Sequence, residues 1–335
     1  MNNTNKGMKK MKAVVYDKRN SPNALVLRDI EKPIPNDNEV LVKIYAVSVN
    51  AGDYRSMKMG SIPKRKIFGS DIAGRVEAVG KHINRFAIGD EVFGDISAAG
   101  LGGFAEYVVV PEIALALKPA GVTFETAAAV PMAAVTALQA LRDKGQTQPG
   151  QKVLICGAGG GVGTFSVQLA KYFGAEVTAV CGEKNVKVIQ SLGADYVINY
   201  KENDFTKSGK YYDLVLAING NHSLFTYKRL LAPKGIYVMV GGGLSQVFKS
   251  LLFGAFLSIG NKKMRSLAAK PNRKDLEFVI GLVEDGKIKP VIDRYYPLRE
   301  TAEAVRYLNG GHALGKVIIE VASAPVVDQP YCMYS

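Results

Sequence analysis

The stretch that most constrains this chain is Val153-Leu-Ile-Cys-Gly-Ala-Gly-Gly-Gly-Val-Gly-Thr164. Val153 to Cys156 reads as a buried parallel strand, and a turn carrying five glycines follows it. Phe165, Leu169 and Phe173 then fall at i, i+4 and i+8 on one face of a helix. Strand, glycine turn and helix start, in that order, make a seat for anions. Glycine permits the tight turn, lets the backbone approach a pyrophosphate, and lets helix pack closely on strand. The unpaired N–H groups of the first helical turn receive the phosphates. Gly159, Gly160, Gly161, Val162 and Gly163 are therefore candidate dinucleotide-binding positions. A side chain at Gly161 is expected to fill the space that the pyrophosphate needs.

The surrounding pattern alternates strand and helix. Strands are predicted over 153–156, 177–180, 196–198, 214–218 and 236–240, with helices over 164–173, up to about 192, and over 224–231. Such alternation implies a doubly wound parallel sheet in an α/β fold. Upstream the chain is β-rich, with strands over 12–16, 24–28, 40–47, 74–79, 91–93 and 105–110, separated by turn residues such as Ser21-Pro22-Asn23 and Gly89-Asp90. Residues 124–145 read as alanine-rich helix interrupted by Pro131. Leu276, Val279, Ile280 and Val283 mark an amphipathic helix stopped by Gly286, and a closing strand over 316–321 returns to the first domain. The expected division is residues 1–130 with 272–335 as one domain and 131–271 as the dinucleotide-binding domain. The tail from Ala324 shows no element and is expected to be disordered.

Composition excludes several classes. With 335 residues, 47% hydrophobic and 22% charged, the chain is an ordinary globular protein of two-domain length. The net charge is +13, but the basic clusters at 6–12, 64–66 and 262–274 accompany no nucleic-acid motif and no interleaved aromatics. They read as solvated faces that steer an anionic cofactor, and nucleic acid is not an expected partner. No apolar run reaches membrane-spanning length. The nearest, 247–259, contains Lys249 and reads as a helix at a subunit interface or over a pocket. The polar, basic start at 1–10 has no apolar h-region, so no secretory signal is expected. Cys156, Cys181 and Cys332 imply no disulfide framework, which fits a reducing cytoplasm.

Seven motifs occur in one order between about residues 11 and 321. They are Val49-Asn-Ala-Gly-Asp53, Gly69-Ser-Asp-Ile-Ala-Gly74, Gly89-Asp-Glu-Val-Phe-Gly94, Gly102-Gly-Phe-Ala-Glu-Tyr107, Ala158-Gly-Gly-Gly-Val-Gly163, Ser191-Leu-Gly-Ala-Asp195 and Gly315-Lys316. Together they resemble the medium-chain dehydrogenase/reductase superfamily, in its zinc-independent, quinone oxidoreductase-like branch. The resemblance implies a GroES-like β-rich catalytic domain, a Rossmann domain, an active-site cleft between them, and a homodimer or higher oligomer.

In the zinc alcohol dehydrogenases of that superfamily, a cysteine and a histidine of the catalytic domain hold the metal. At those positions this chain has Asn50 and Ser70, which are poor zinc ligands. The loop of four closely spaced cysteines is absent, and the three histidines, His82, His222 and His312, are scattered. No metal site is expected, and simple alcohol oxidation, which needs a Lewis acid, is disfavoured. The resemblance places Asn50, Asp53 and Thr136 near nicotinamide and substrate, with Tyr54 and Arg55 on the same loop. Tyr54 reads either as an oxyanion donor or proton relay, or as a packed loop aromatic. Asp53 reads either as a site residue or as a helix-capping side chain. Gly241 and Gly242 end a strand at the cleft edge, where small residues let a nicotinamide lie flat, and the resemblance adds Lys316 to the cofactor contacts.

Glu183 stands about 20 residues beyond the glycines, where an acidic residue favours NAD. Lys184 lies beside it, and Tyr200 matches a tyrosine that related NADPH enzymes use at the 2′-phosphate. A cation gains more beside a phosphate than beside two hydroxyls. The expected cofactor is NADPH, with NADH as the alternative. The expected activity is reduction of a small-molecule quinone or an α,β-unsaturated carbonyl. The competing readings are a low-turnover NADP(H)-binding sensor or assembly protein, and alcohol dehydrogenase-type carbonyl reduction.

Overall fold

The computed structural model describes residues 9–17, 24–218, 220–241 and 261–322. The turn at 21–23, the apolar run 247–259, Gly242, Cys332 and the tail from Ala324 lie outside the described residues. In the first domain the strands are β1 (Lys10–Tyr16), β2 (Leu25–Glu31), β3 (Glu39–Val49), β4 (Asp71–Val79), β5 (Glu91–Asp95), β6 (Tyr107–Pro111) and β7 (Ala116–Leu117). The second contains β8 (Lys152–Cys156), β9 (Glu176–Cys181), β10 (Tyr196–Asn199), β11 (Tyr212–Ala217), β12 (Leu231–Met239) and β13 (Lys263–Ser266). The chain then returns through β14 (Ile292–Pro297) and β15 (Lys316–Glu320).

β3 is the hub of the first domain. It pairs antiparallel with β4, β6 and β15, within a seven-stranded sheet that also takes in β5, β7 and β14. Flanked on every side, β3 buries Val40, Val42, Ile44, Ala46 and Val47 completely. The hairpin β1–β2 closes over this core, tied by bridges from Ala13 to Ala105 and from Val15 to Ile67.

The second sheet runs in the order β10-β9-β8-β11-β12-β13, every pair parallel. The strand order reverses between β8 and β11, the switch point at whose carboxyl ends open α/β sheets leave a crevice. Both faces of the sheet are covered, so Val153, Leu154 and Ile155 on β8 are fully buried. The long helical stretch resolves into α1 (Ala51–Lys58) ahead of it, α2 (Phe124–Ala128) and α3 (Pro131–Gln139), with α3 continued by a π-helical turn over Ala140–Gly145. Pro131 opens α3 rather than breaking it, because the first helical turn needs no N–H there. α4 (Gly161–Tyr172) buries Phe165 and Leu169 as the spacing required. The remaining helices are α5 (Val186–Ser191), α6 (Leu224–Arg229), α7 (Arg273–Glu284) and α8 (Thr301–Asn309).

β7, β13 and β14 were not legible as strands. In β13 only Met264 is buried, between two cations and a serine, so no alternation marks it. One connection across the fold matters for function. The Gly315 amide donates to the Gly159 carbonyl at 2.9 Å, and Gly160 forms a parallel bridge with Gly315. The last strand of the first domain is thereby pinned to the glycine turn of the second.

Candidate active site

The glycine turn divides its labour among its residues. Gly157 has φ +89°, the left-handed conformation that the sharp exit from β8 requires. A Cβ at Gly163 would lie 2.2 Å from the Gly157 carbonyl oxygen, so this residue is the close packing point of helix on strand. A Cβ at Gly159 would strike the Asn185 side chain at 2.2 Å, and one at Gly161 would meet Lys316 Cδ at 2.9 Å. Gly160 alone faces open space, with nothing nearer than the Gly157 carbonyl at 3.9 Å. Gly160 also caps α4, with φ −84° and ψ 175° and no side-chain hydrogen bond to the first turn. The room for an anion is therefore at Gly160, and the space expected at Gly161 is filled by Lys316. The shape fits a pyrophosphate: an uncapped helix N-terminus behind a position where a Cβ would intrude.

At the next strand end, Gly182, Glu183 and Lys184 follow β9, and Tyr200 follows β10. The Tyr200 amide donates to the Cys181 carbonyl at 3.2 Å, and a Cβ on Gly182 would lie 3.4 Å from the Tyr200 hydroxyl. Lys184 is exposed beside them, as is Glu183. Asn185, packed against Gly159, is a residue that sequence reasoning missed. Its side-chain type carries no pattern, and only its position reveals it.

On the catalytic side, Asn50 caps α1 at the end of β3 and is buried. Its amide Nδ2 donates to Asp71 Oδ2 at 2.9 Å and to Ser70 Oγ at 3.2 Å, and its Oδ1 accepts from the Lys316 ammonium at 2.7 Å. Lys316 Nζ lies 3.5 Å from Asp71, and both side chains are shut off from solvent. Asp71 further accepts from Ser48 Oγ and from the Met132 amide. Asp53 joins two loops, taking the Asn50 amide on Oδ2 and the Gly69 amide on Oδ1. Asp95, opposite Asp71 in the β4–β5 register, takes the Ser97 amide on Oδ1 at 2.8 Å.

Three carboxyl groups and one ammonium thus share one buried region. Burial disfavours each charge, and a single cation cannot compensate three anions. Burial pushes Asp53 up to about 7 against the pull of the two amides. Burial also raises Asp95 to about 6, with the Asp71 carboxylate adding to the effect. Asp71 is raised by burial and held back by Lys316, while burial lowers Lys316 and Asp71 opposes that.

Between the domains lies a cavity of about 190 Å³. Pro131, Met132, Val135, Val240 and Leu276 make it largely apolar, and Asp95, Ser97, Thr136, Lys270 and Asn272 supply its polar wall. Thr136 lines this cavity, and Gly241 directly follows the lining residue Val240. Asn50 and Asp53 lie in the buried cluster that includes Asp95. Tyr54 lies off the cavity wall, half-buried, its ring flanked by Arg55 at 5.9 Å and Lys58 at 5.5 Å. Asp71 and Asp95 were also missed, although each belongs to or follows a motif already singled out. Among the described residues, no three His, Cys, Asp or Glu side chains are grouped to hold a metal, and no helix is long and apolar enough to cross a membrane.

The chain matches the family model described as an alcohol dehydrogenase GroES-like domain over residues 36–120, and that described as a zinc-binding dehydrogenase over residues 192–319. It is 35% identical over 302 residues to a protein named chloroplast envelope quinone oxidoreductase homolog from Arabidopsis thaliana, covering 86% of this chain and 91% of the relative. It is 31% identical over 326 residues to an NADPH-dependent alkenal/one oxidoreductase of the same plant, covering 93% and 80%. The solved quinone oxidoreductase from Coxiella burnetii superposes with a TM-score of 0.86 at 29% identity, over 94% of this chain and all (100%) of that one.

Proposed function

Because this chain belongs to the medium-chain dehydrogenase/reductase superfamily, in its quinone oxidoreductase-like branch of nicotinamide-dependent oxidoreductases, we propose that it transfers a hydride from NADPH to a quinone or to the activated C=C bond of an α,β-unsaturated carbonyl, without zinc. The observation that carries the zinc-free reading is Lys316. Where zinc relatives place two metal ligands, this chain has an amide and a hydroxyl, and the local cation is an ammonium 2.7 Å from Asn50. Amide and hydroxyl are weak donors for zinc, and a resident ammonium repels a second cation. Without a Lewis acid an alcohol keeps its proton at neutral pH, whereas a quinone or enone spreads the arriving charge over its own conjugated system.

When bound, the dinucleotide supplies hydride from the nicotinamide ring. The protein's own residues bind and orient. Gly160 and the start of α4 take the pyrophosphate, and the apolar cavity wall of Met132, Val135 and Val240 excludes water from the reacting atoms. Asn50, Asp53, Tyr54 and Thr136 remain the proposed site residues on the catalytic side, with Lys316 and Gly241 bridging to the cofactor seat. The homodimer and cytoplasmic location belong to this proposal as well. β13 is the outer strand of the nucleotide-domain sheet among the described residues, and Cys156 and Cys181 are buried free thiols.

Lys184 and Tyr200, gathered at the ends of neighbouring strands, support NADPH over NADH. Lys184→Ala is expected to weaken NADPH binding by about 1–3 kcal/mol, the worth of one charge-assisted contact, while NADH binding barely changes. Fluorescence titration with both nucleotides measures this. A wild type that prefers NADH, together with a Glu183→Ala variant that loses that preference, would reverse the assignment.

The reaction is tested with NADPH deuterated at C4 and an enone acceptor. The label is expected on the β-carbon of the product, with turnover unaffected by chelators. Label on the carbonyl carbon would instead mean carbonyl reduction, and no multiple turnover on any quinone or enone would leave the binding-protein reading.

A further inference from the structure

We propose that Asp95 is the acid of this site, donating its carboxyl proton to the substrate's carbonyl oxygen as the hydride arrives. This rests on the hydride-transfer reading above. Of the three buried carboxyl groups, two are occupied by the fold. Both Asp53 oxygens hold backbone amides, from Asn50 and Gly69. Asp71 is surrounded by Ser48, Asn50, Met132 and Lys316. Asp95 is different. It is 93% buried by its 7% exposure, its fold contacts are confined to one neighbour, the amide and side chain of Ser97, and it lines the cavity together with Met132 and Thr136. An acid thus lines a largely apolar cavity of the size that admits a single conjugated ring or a short enone.

Burial and a neighbouring like charge raise the proton affinity of Asp95. Asp71 stands opposite on β4 and repels a second negative charge, while Lys316 on β15 is already engaged by Asn50 and Asp71. Lys270 lines the same cavity. Burial and the Asp71 charge push the Asp95 carboxyl up to about 6. About a tenth of such groups are neutral at pH 7, roughly a hundredfold more than for an ordinary aspartic acid.

The step balances for an enone. The β-carbon gains hydride from NADPH, which leaves as NADP⁺. The C=C electron pair shifts to form the enol double bond, and the carbonyl electron pair moves onto oxygen. That oxygen takes the Asp95 proton, the Asp95 O–H bond breaks, and the carboxylate recovers a proton from solvent. The enol then becomes the saturated ketone in water.

The test uses 3-buten-2-one as acceptor and compares wild type with Asp95→Asn and Asp95→Glu. Asp95→Asn keeps an acceptor for the Ser97 amide and is expected to lower kcat about 100-fold, with NADPH affinity and melting temperature little changed. The wild-type kcat is expected to decline as pH rises through about 6, because the neutral acid is the active form, and this decline disappears in Asp95→Asn. Asp95→Glu should restore part of kcat and the decline with it. Independently of turnover, infrared difference spectra of the cofactor-free wild type against Asp95→Asn should show a protonated carboxyl band that vanishes near pH 6. An active wild type whose Asp95→Asn variant keeps kcat and pH profile overturns the assignment of Asp95 alone. A wild type that reduces neither 3-buten-2-one nor 1,4-benzoquinone overturns the hydride-transfer reading and the proposal with it.

Discussion

Gly160→Val is expected to leave the protein folded and to remove nucleotide binding. The backbone there, φ −84° and ψ 175°, is ordinary extended geometry that valine adopts without strain, and a Cβ meets nothing within 3.4 Å. The added side chain instead occupies the approach to the α4 N-terminus. Losing two charge-assisted contacts to the pyrophosphate costs about 3–6 kcal/mol, or more than 100-fold in Kd. Gly163→Ala gives the contrast. Its Cβ would lie 2.2 Å from the Gly157 carbonyl and 2.6 Å from Ala158, so this variant is expected to lose thermal stability. Nucleotide titration beside a thermal melt separates the two effects. Tight nucleotide binding by a folded Gly160→Val protein would show that the pyrophosphate sits elsewhere.

Lys316→Met carries the second large effect, this time on stability. The ammonium is the cation nearest Asp71, whose side chain is fully buried, and its loss strands that carboxylate. Removing one partner of a buried ion pair costs about 3–5 kcal/mol. The deficit should depend on pH with a definite sign. Burial already raises the Asp71 pKa, and Lys316 is the leading influence holding it down. Without Lys316 the folded-state pKa rises further, and a raised carboxyl favours the folded state at low pH and loses that benefit as pH increases. The gap between wild type and Lys316→Met should therefore be smaller at pH 5 than at pH 8. The double variant Lys316→Met/Asp71→Asn, with no stranded charge, should recover much of the loss. Equal melting temperatures for wild type and Lys316→Met at pH 8 would show that the ion pair contributes nothing.

Sequence alone determined the parts of this protein whose physics is local. The passage from β8 through the glycine turn into α4 is written within about twenty residues, where strand burial, glycine and helical spacing follow one another directly. The alternation of strand and helix around it was equally legible, and with it the parallel sheet. The poor zinc donors at positions 50 and 70 were visible as residue types inside recognisable motifs. Boundaries were less so. α4 starts at Gly161 rather than residue 164, because glycines carry no helical pattern although their amides form the helix start.

Tertiary structure alone decided the meetings between distant segments. Lys316 reaches Asn50 across 266 positions of chain, and no periodicity encodes such a contact. That Gly160 faces open space while Gly161 faces Lys316 depends on the return of β15 to the glycine turn through Gly315. Asp95 and Thr136 meet at one cavity because β5 and α3 pack beside each other, and neither segment names the other in its pattern. Local backbone preference and hydrophobic period are read along the chain. Charge burial, open volume and hydrogen-bond partnership are properties of the packed molecule, and in this protein they separate the cavity-lining Asp95 from Asp53 and Asp71, whose oxygens hold the fold together.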